Sequence, residues 1–363
     1  MMPRHLALPL AGPALALITL AGAQAAEPVS KTFRDWYAGC DNIGACTALS
    51  LPAETAETAA LLRLERQARP EAPARLAIRI HAEKLGKAAT ASIMLDGATV
   101  PATVAQLPVS HPDPETAVVT IPGAGLDAFL AAARKATKLT ATLGGRRFEI
   151  SLSGSVAALL WIDEQQGRLD TATALVRKGD RPASAVPAAK RLPVVTAIAT
   201  AGQPALPKPE TERLVAGLRK AVQQAEPDLC EAPEDAASIP DQVYPLGDGR
   251  QLVALFCGLG AYNAVTGFWT VQGSDPAKAS KLVLQRPGET ADNMLINAEY
   301  DPATGRLAFE AKGRGIGDCG STGTYVWDGS RFMLGEFSTM DPCRGLPQED
   351  WLTLVRHEIR QAK

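Results

Sequence analysis

The sequence predicts a β-rich α+β protein of two domains, each an antiparallel sheet or sandwich with a few short helices. Three observations support this fold class: short runs in which apolar and polar residues alternate, Gly-containing dipeptides between such runs, and a Pro- and Ala-rich segment in the second half. A strand with one buried face alternates in this way, and dipeptides such as Asp-Gly favour tight hairpin turns. The 363 residues are also enough for about two domains.

The composition excludes two classes of protein. Hydrophobic residues make up 46% of the chain, which is too high for an intrinsically disordered protein. The 37 Lys and Arg residues are balanced by 39 Asp and Glu residues, whereas a protein that binds nucleic acid needs clustered cations. We therefore expect no nucleic-acid partner.

Residues 1–25 have the three parts of a secretory signal peptide. Arg4 gives a cationic start, the stretch from Leu6 to Leu20 is apolar, and Ala23-Gln24-Ala25 forms a small-residue cleavage site. The apolar stretch is shorter than the ~20 residues that a membrane-spanning helix needs, and prolines interrupt it. We expect cleavage before Ala26 and a periplasmic mature chain without a membrane span.

The first predicted domain, residues 26–178, contains strands, two hairpin turns and two helices. The alternating runs that predict strands are 61–66, 75–80, 91–95, 138–143 and 146–152. Asp96-Gly97 and Gly144-Gly145 follow two of these runs and predict hairpin turns. Helical spacing predicts one helix within Leu126–Ala136 and a second helix with Ser153 or Ser155 as its cap.

Residues 179–210 are rich in Pro and Ala and are predicted to form an extended linker, because Pro resists both helices and sheets. The second predicted domain, residues 211–363, opens with a helix from about Glu210 to Gln224 and closes with a short amphipathic helix, Trp351–Ile359. Its predicted strands are 251–257, 265–272, 282–285, 294–300, 306–311, 324–327 and 332–338.

The six cysteines are interpreted as disulfide partners, because an even number in an exported chain is typical of disulfide-bonded proteins. Their spacing favours the sequential pairs Cys40–Cys46, Cys230–Cys257 and Cys319–Cys343. Zinc is the competing interpretation, but the chain has no Cys-x-x-Cys pair and its histidines do not have ligand spacing. We expect no metal site.

The segment Gly313–Ser321 is the most distinctive candidate site. Its Gly-Asp-Cys-Gly core resembles the nucleophile loop of chymotrypsin-fold peptidases, whose backbone N–H groups help to form an oxyanion hole. Against that reading, the second domain has no His before Cys319, and a disulfide to Cys343 would remove the nucleophile. The other reading is a polar binding loop, with Arg314, Asp318 and Ser321 lining a pocket.

Several motifs together resemble an exported bacterial family known as domain of unknown function 1176, over nearly the whole mature chain. They are Phe33-Arg34-Asp35-Trp36, Cys40-Asp41-Asn42, Ala261-Tyr262-Asn263, Gly313 to Gly320 and Val326-Trp327-Asp328-Gly329. The first domain is also similar to the invasion-associated locus B proteins, through Trp36, Cys40 and the segment Ile150–Gly154. Neither resemblance supplies catalytic residues.

The sequence contains no recognisable catalytic constellation and no cofactor motif. We therefore expect a non-catalytic binding module of the cell envelope, whose partner is an envelope protein or a small ligand. The alternative is a hydrolase of the cysteine-peptidase type that uses the loop Gly313–Ser321.

Overall fold

The computed structural model describes residues 27–54, 56, 58–100, 102–230 and 239–362. The predicted signal peptide, residues 1–25, lies outside the described residues. Most of the regular structure in the described part is antiparallel strand, so the predicted β-rich α+β class is confirmed.

The strands of the first half are β1 (Val29–Phe33), β2 (Trp36–Cys40), β3 (Cys46–Ser50), β4 (Ala59–Arg66), β5 (Ala74–His81), β6 (Thr90–Leu95), β7 (Ala98–Thr99), β8 (Gln106–Pro108), β9 (Ser110–Asp113), β10 (Thr116–Ile121), β11 (Lys138–Leu143) and β12 (Arg146–Ser151). The strands of the second half are β13 (Val194–Ala197), β14 (Gln242–Gly247), β15 (Arg250–Leu259), β16 (Ala264–Gln272), β17 (Ala279–Lys281), β18 (Met294–Ile296), β19 (Glu299–Asp301), β20 (Arg306–Lys312), β21 (Gly320–Trp327), β22 (Phe332–Met340), β23 (Leu352–Arg356) and β24 (Glu358–Gln361). The helices are α1 (Ala102–Ala105), α2 (Gly123–Ala133), α3 (Ser155–Gln165) and α4 (Lys208–Ala225).

The N-terminal part, residues 27–178, contains a seven-stranded sheet of order β1-β2-β3-β4-β5-β10-β9 and a smaller sheet of order β12-β11-β6-β7. Apolar side chains from both sheets and from α2 and α3 form one core. Helix α3 follows Gly154, whose φ is 99°, so the predicted serine cap is wrong. Only Gly fits there, because a Cβ would lie 1.8 Å from the carbonyl oxygen of Phe33.

The C-terminal part, residues 211–362, contains the sheets β14-β15-β16-β17 and β19-β20-β21-β22-β23. Helix α4 covers the first of them by packing Leu214, Leu218 and Val222 against its apolar face. The strand predicted over 294–300 is interrupted at Asn297, whose φ is 45°. The chain therefore leaves β18, which pairs with β16, and enters β19, which pairs with β20 in the other sheet.

The structure differs from the prediction in two segments, the linker and the end of the chain. The segment predicted as a helix, Trp351–Ile359, contributes to β23 and β24. Leu352 and Leu354 alternate with Thr353, and β23 pairs with β22. The predicted linker contains β13, which pairs in parallel with β24. That stretch of the linker, Val194–Ala197, has no Pro, and its β-branched residues suit a strand.

The seven-stranded sheet is covered on both faces. Its first face contributes Trp36, Leu62 and Ile78 to the core of the N-terminal part. Its second face contributes Tyr37, Leu49, Leu51 and Leu61 to a core that includes the aromatic side chains of the C-terminal part, among them Trp327, Phe337 and Trp351. Gly39 of β2 permits this contact, because a Cβ there would lie 2.9 Å from the side chains of Leu352 and Leu354.

Candidate functional site

A cleft of about 560 Å³ lies between the N-terminal and C-terminal parts, and we call it the interface cleft. One wall is formed by the ends of β5, β9 and β10, and the other by the loop that precedes β21 and the loop that follows β22. The ionisable side chains that line it are His81, Glu83, Asp113, Glu115, Asp318, Arg344 and Glu349.

The loop Gly313–Cys319 forms part of the second wall, and its glycines have structural roles. The N–H of Gly313 donates to the carbonyl of Cys319 at 2.8 Å, which closes the loop at its base. Gly317 has a φ of +70°, and Gly320, which follows the loop, has a φ of +129°. A Cβ on Gly320 would lie 1.9 Å from the carbonyl oxygen of Ala311, so a side chain is excluded there.

Arg314 and Asp318 are paired with each other. The Arg314 Nε and Nη2 donate to the two carboxylate oxygens of Asp318 at 2.7 and 2.5 Å, and the N–H of Gly345 donates to Oδ2 at 2.6 Å. The Arg314 guanidinium holds the pKa of Asp318 below its usual range. The pair therefore fixes the loop to the segment after β22.

The structure brings together two of the three residues predicted for a binding loop. Asp318 lines the interface cleft and Arg314 holds it in place. Ser321 lies within β21, opposite Ala311 and Thr339, and it is not part of the cleft wall.

All six cysteines form disulfides, in the sequential pairs. They are Cys40–Cys46, Cys230–Cys257 and Cys319–Cys343, with Cα atoms 4.1, 4.3 and 4.8 Å apart. Cys319 is 1% exposed, and its bond to Cys343 joins the two loops that form the second wall of the interface cleft. A sulfur in a disulfide is not a thiolate and cannot attack a substrate.

A network of charged side chains joins the two parts beside the cleft. Asp350, whose side chain is fully buried, contacts Nε2 of His81 at 2.6 Å and Nε of Arg79 at 2.8 Å. Arg79 also contacts Glu349 at 2.7 Å, and Nη1 of Arg63 donates to the carbonyl oxygen of Asp350 at 2.7 Å. The cations come from β4 and β5, and both carboxylates come from the segment before β23.

Three side chains of this network are of metal-ligand type. Atoms of His81, Glu349 and Asp350 lie within 4.8 Å of one another. However, Arg79 contacts both carboxylates, and a metal ion placed among them would be repelled by its guanidinium. The charge balance therefore favours an ion-pair network over a metal centre.

Arg344 lies between the interface cleft and a second cleft of about 370 Å³. Its Nη1 donates to the carbonyl oxygen of Pro52 at 3.4 Å, a long hydrogen bond. In the described ranges no carboxylate lies within ion-pair distance of it. A partly buried guanidinium with unused donors is suited to binding a carboxylate or phosphate group.

Sequence reasoning did not select the network or Arg344. Arg63, Arg79 and His81 lie on one face of β4 and β5, and the core-facing Leu62 and Ile78 lie on the other. The charged residues on that face could have indicated an interface with another part of the protein. Asp350 carried no such signal, because 269 positions separate it from His81.

Comparisons with known proteins identify relatives along most of the chain. A family model described as "Protein of unknown function (DUF1176)" matches residues 30–358. The "Uncharacterized protein YpfG" of Escherichia coli (strain K12) is 29% identical over 344 residues, which cover 91% of this chain and 93% of that protein. The crystal structure of invasion associated protein b from Bartonella henselae aligns with a TM-score of 0.28 and 13% identity, over 38% of this chain and 99% of that one.

A search of the described helices found none that is both long and apolar enough to cross a membrane.

Proposed function

Because the chain belongs to the family described as "Protein of unknown function (DUF1176)", whose description assigns no activity, we propose a function from the geometry of the site. The proposal is that the protein is an exported, non-catalytic binding protein of the cell envelope, and that its ligand occupies the interface cleft. The observation that carries it is the cleft of about 560 Å³, one wall of which includes the glycine loop. Ligand pockets are typically about 300–1,000 Å³ in volume.

The fixed position of the loop supports a binding role. The Arg314–Asp318 pair, the hydrogen bond from Gly345 and the Cys319–Cys343 disulfide all hold the loop against the segment that follows β22. A binding site that is already ordered loses less conformational entropy when the ligand arrives. The order of this wall is therefore consistent with a recognition role.

Binding is tested by allowing the purified mature protein to take up small molecules from an osmotic-shock extract, followed by re-purification and mass spectrometry. We expect a retained compound with the wild-type protein and with Glu164→Lys, which changes an exposed residue of α3 outside the cleft. The double variant Glu83→Lys and Glu115→Lys should lose it. Equal retention by both variants would contradict the proposal.

Export is tested by counting thiols. Three disulfides are typical of an oxidising compartment, and the predicted signal peptide supports the periplasm. Mature protein purified from the periplasmic fraction and unfolded without reductant should have no thiol that reacts with Ellman's reagent. Recovery of the protein only from the cytoplasmic fraction, with six reactive thiols, would argue against export.

A hydrolase is the second candidate, and one observation favours it. Thr116 Oγ1 lies 3.2 Å from Nδ1 of His81, whose Nε2 lies 2.6 Å from Asp350, so a hydroxyl, an imidazole and a carboxylate are in series. Such a series activates nucleophiles in hydrolases. Thr116 is 4% exposed, however, which limits access to any substrate, and the cysteine alternative would require Cys319 to be released from Cys343.

The hydrolase candidate is tested with p-nitrophenyl acetate. Turnover that disappears in Thr116→Val and persists in Ser110→Ala, a change on exposed β9, would favour the enzyme over the binding protein. We expect no turnover above the uncatalysed rate with the wild-type protein.

A further inference from the structure

Three of the seven ionisable side chains that line the interface cleft contact partners of opposite type within the protein. Asp318 is paired with Arg314, and Glu349 is paired with Arg79. His81 contacts the carboxylate of Asp350. A ligand in the cleft therefore meets Asp318 and Glu349 as members of ion pairs.

Three carboxylates of the first wall have no such partner. Glu83, Asp113 and Glu115 are exposed, and no cation of the described residues lies within ion-pair distance of them. Asp113 accepts a hydrogen bond from the N–H of Glu115 at 2.8 Å, and this bond holds its pKa below the usual range. An exposed group of three carboxylates without a cationic partner favours a cationic group on a ligand.

The opposite wall presents a charge of the other sign. Arg344 is partly buried, and its one hydrogen bond to a described residue, with the carbonyl oxygen of Pro52, is long at 3.4 Å. A guanidinium has five N–H donors in a planar fork, which matches the two oxygens of a carboxylate. The charges that remain for a ligand are therefore negative on one wall and positive on the other.

We propose, on the basis of the binding function above, that the ligand is a zwitterion. Its carboxylate binds Arg344 and its ammonium group faces Glu83, Asp113 and Glu115. A short peptide with free ends has these two groups at a separation of about 3.3–3.6 Å per residue when extended. A free amino acid has the same groups at a shorter separation, and the two sources are distinguished below.

The test measures binding to the full mature protein by isothermal titration calorimetry. The probes are trialanine, N-acetyl-trialanine, trialanine amide and alanine. We expect trialanine to bind. Each blocked peptide should bind at least about tenfold more weakly, because the loss of a hydrogen bond to a charged group lowers the affinity by about that factor. If alanine binds as tightly as trialanine, the natural ligand class is an amino acid. If alanine binds more weakly than trialanine, the natural class is a peptide.

Arg344→Gln tests which residue holds the carboxylate. This variant should bind trialanine and trialanine amide with equal affinity, whereas Arg213→Gln, an exposed position on α4, should retain the wild-type preference. Urea unfolding confirms that the variants are folded. The comparison between free and amidated peptide on the wild-type protein tests the zwitterion even where Arg344→Gln does not fold.

Two outcomes would overturn the inference. Equal affinity for the free and blocked peptides would show that the terminal charges of the peptide do not contribute to binding. Absence of binding by all probes would exclude this ligand class. The proposed function stands in both cases if the compound retained from the extract is still lost in the variant of Glu83 and Glu115. The proposed function fails only if the variant of Glu83 and Glu115 retains the compound as well as the wild-type protein does.

Discussion

At the scale of single residues, Asp350 joins the two parts through charged contacts. Its carboxylate is fully buried and contacts Arg79 and His81. We expect Asp350→Asn to lower the free energy of unfolding by about 3 kcal/mol, because Arg79 and His81 lose the one fully buried carboxylate that both contact. Arg79 then keeps only the half-exposed Glu349. Urea unfolding measures this. The matched change Glu349→Gln should lower it by less than about 1 kcal/mol, since that side chain is 54% exposed; equal effects would contradict this account.

Asp318 gives the stability a dependence on acid pH. Its pKa is lowered in the folded protein by Arg314, so the unfolded chain binds a proton at a higher pH than the folded one. The stabilisation is fully present above the unfolded pKa of about 3.9 and is lost as the pH falls through the lower, folded value. We expect the urea midpoint to fall less between pH 7 and about pH 3 in Asp318→Asn than in the wild-type protein. An identical fall in both proteins would show that the pair does not titrate in this way.

The residue types of the candidate site were partly predictable. The glycine loop is distinctive in the sequence, and Asp318 does line the cleft. Ser321 was selected only for its position in the same string, but the strand β21 begins before it and removes it from the wall. Arg344 follows Cys343 directly, so the disulfide pairing places it near the loop, but nothing in a single sequence indicates that no carboxylate of the described residues pairs with it.

At the scale of elements, the junction between the glycine loop and β21 depends on Gly320. We expect Gly320→Ala to destabilise the protein by about 1–3 kcal/mol, because the residue has a φ of +129° and the new Cβ would collide with Ala311. Gly258→Ala is the matched control, since nothing lies within 4 Å of a Cβ at that position. Thermal or urea unfolding of both variants provides the measurement, and a neutral Gly320→Ala would refute the steric argument.

The disulfides should differ in what they contribute. Chain-entropy arguments give at most about 3.5 kcal/mol for Cys319–Cys343, whose loop is about 25 residues, and about 2.4 kcal/mol for Cys40–Cys46, whose loop is about 7 residues. In urea unfolding, we expect the variant with both Cys319 and Cys343 changed to Ala to lose more stability than the variant with both Cys40 and Cys46 changed to Ala. The reverse order would indicate that packing around Cys40 and Cys46, both buried in the core, outweighs chain entropy.

Most elements were predictable because their patterns are local. Alternation predicted β4, β5 and β6, and Gly144-Gly145 does join β11 to β12. The end of the chain was predicted wrongly because the spacing from Trp351 to Ile359 suits one face of a helix as well as two short strands. Pairing of β23 with β22 and of β24 with β13 stabilises the strand conformation, and these partners lie outside the segment itself.

At the scale of the whole molecule, the two parts share a core, so neither is expected to behave well alone. Residues 26–178 expressed by themselves would expose the second face of the large sheet, with Tyr37, Leu49, Leu51 and Leu61. We expect this fragment to bind the dye ANS and to elute as aggregates in size-exclusion chromatography, unlike the full mature protein. A monomeric fragment that does not bind the dye would show that the face is stable in water.

The contact of Gly39 with Leu352 and Leu354 also has a consequence for the order in which the protein is made. A neighbouring pair at the same contact, Asn42 and Arg356, is separated by 314 positions. At the usual 5–20 residues per second, a ribosome needs about 15–60 s to make that length of chain. In each round of synthesis β2 is therefore made that long before β23, which covers it, and a chaperone that shields its apolar face during the interval would raise the yield of folded protein.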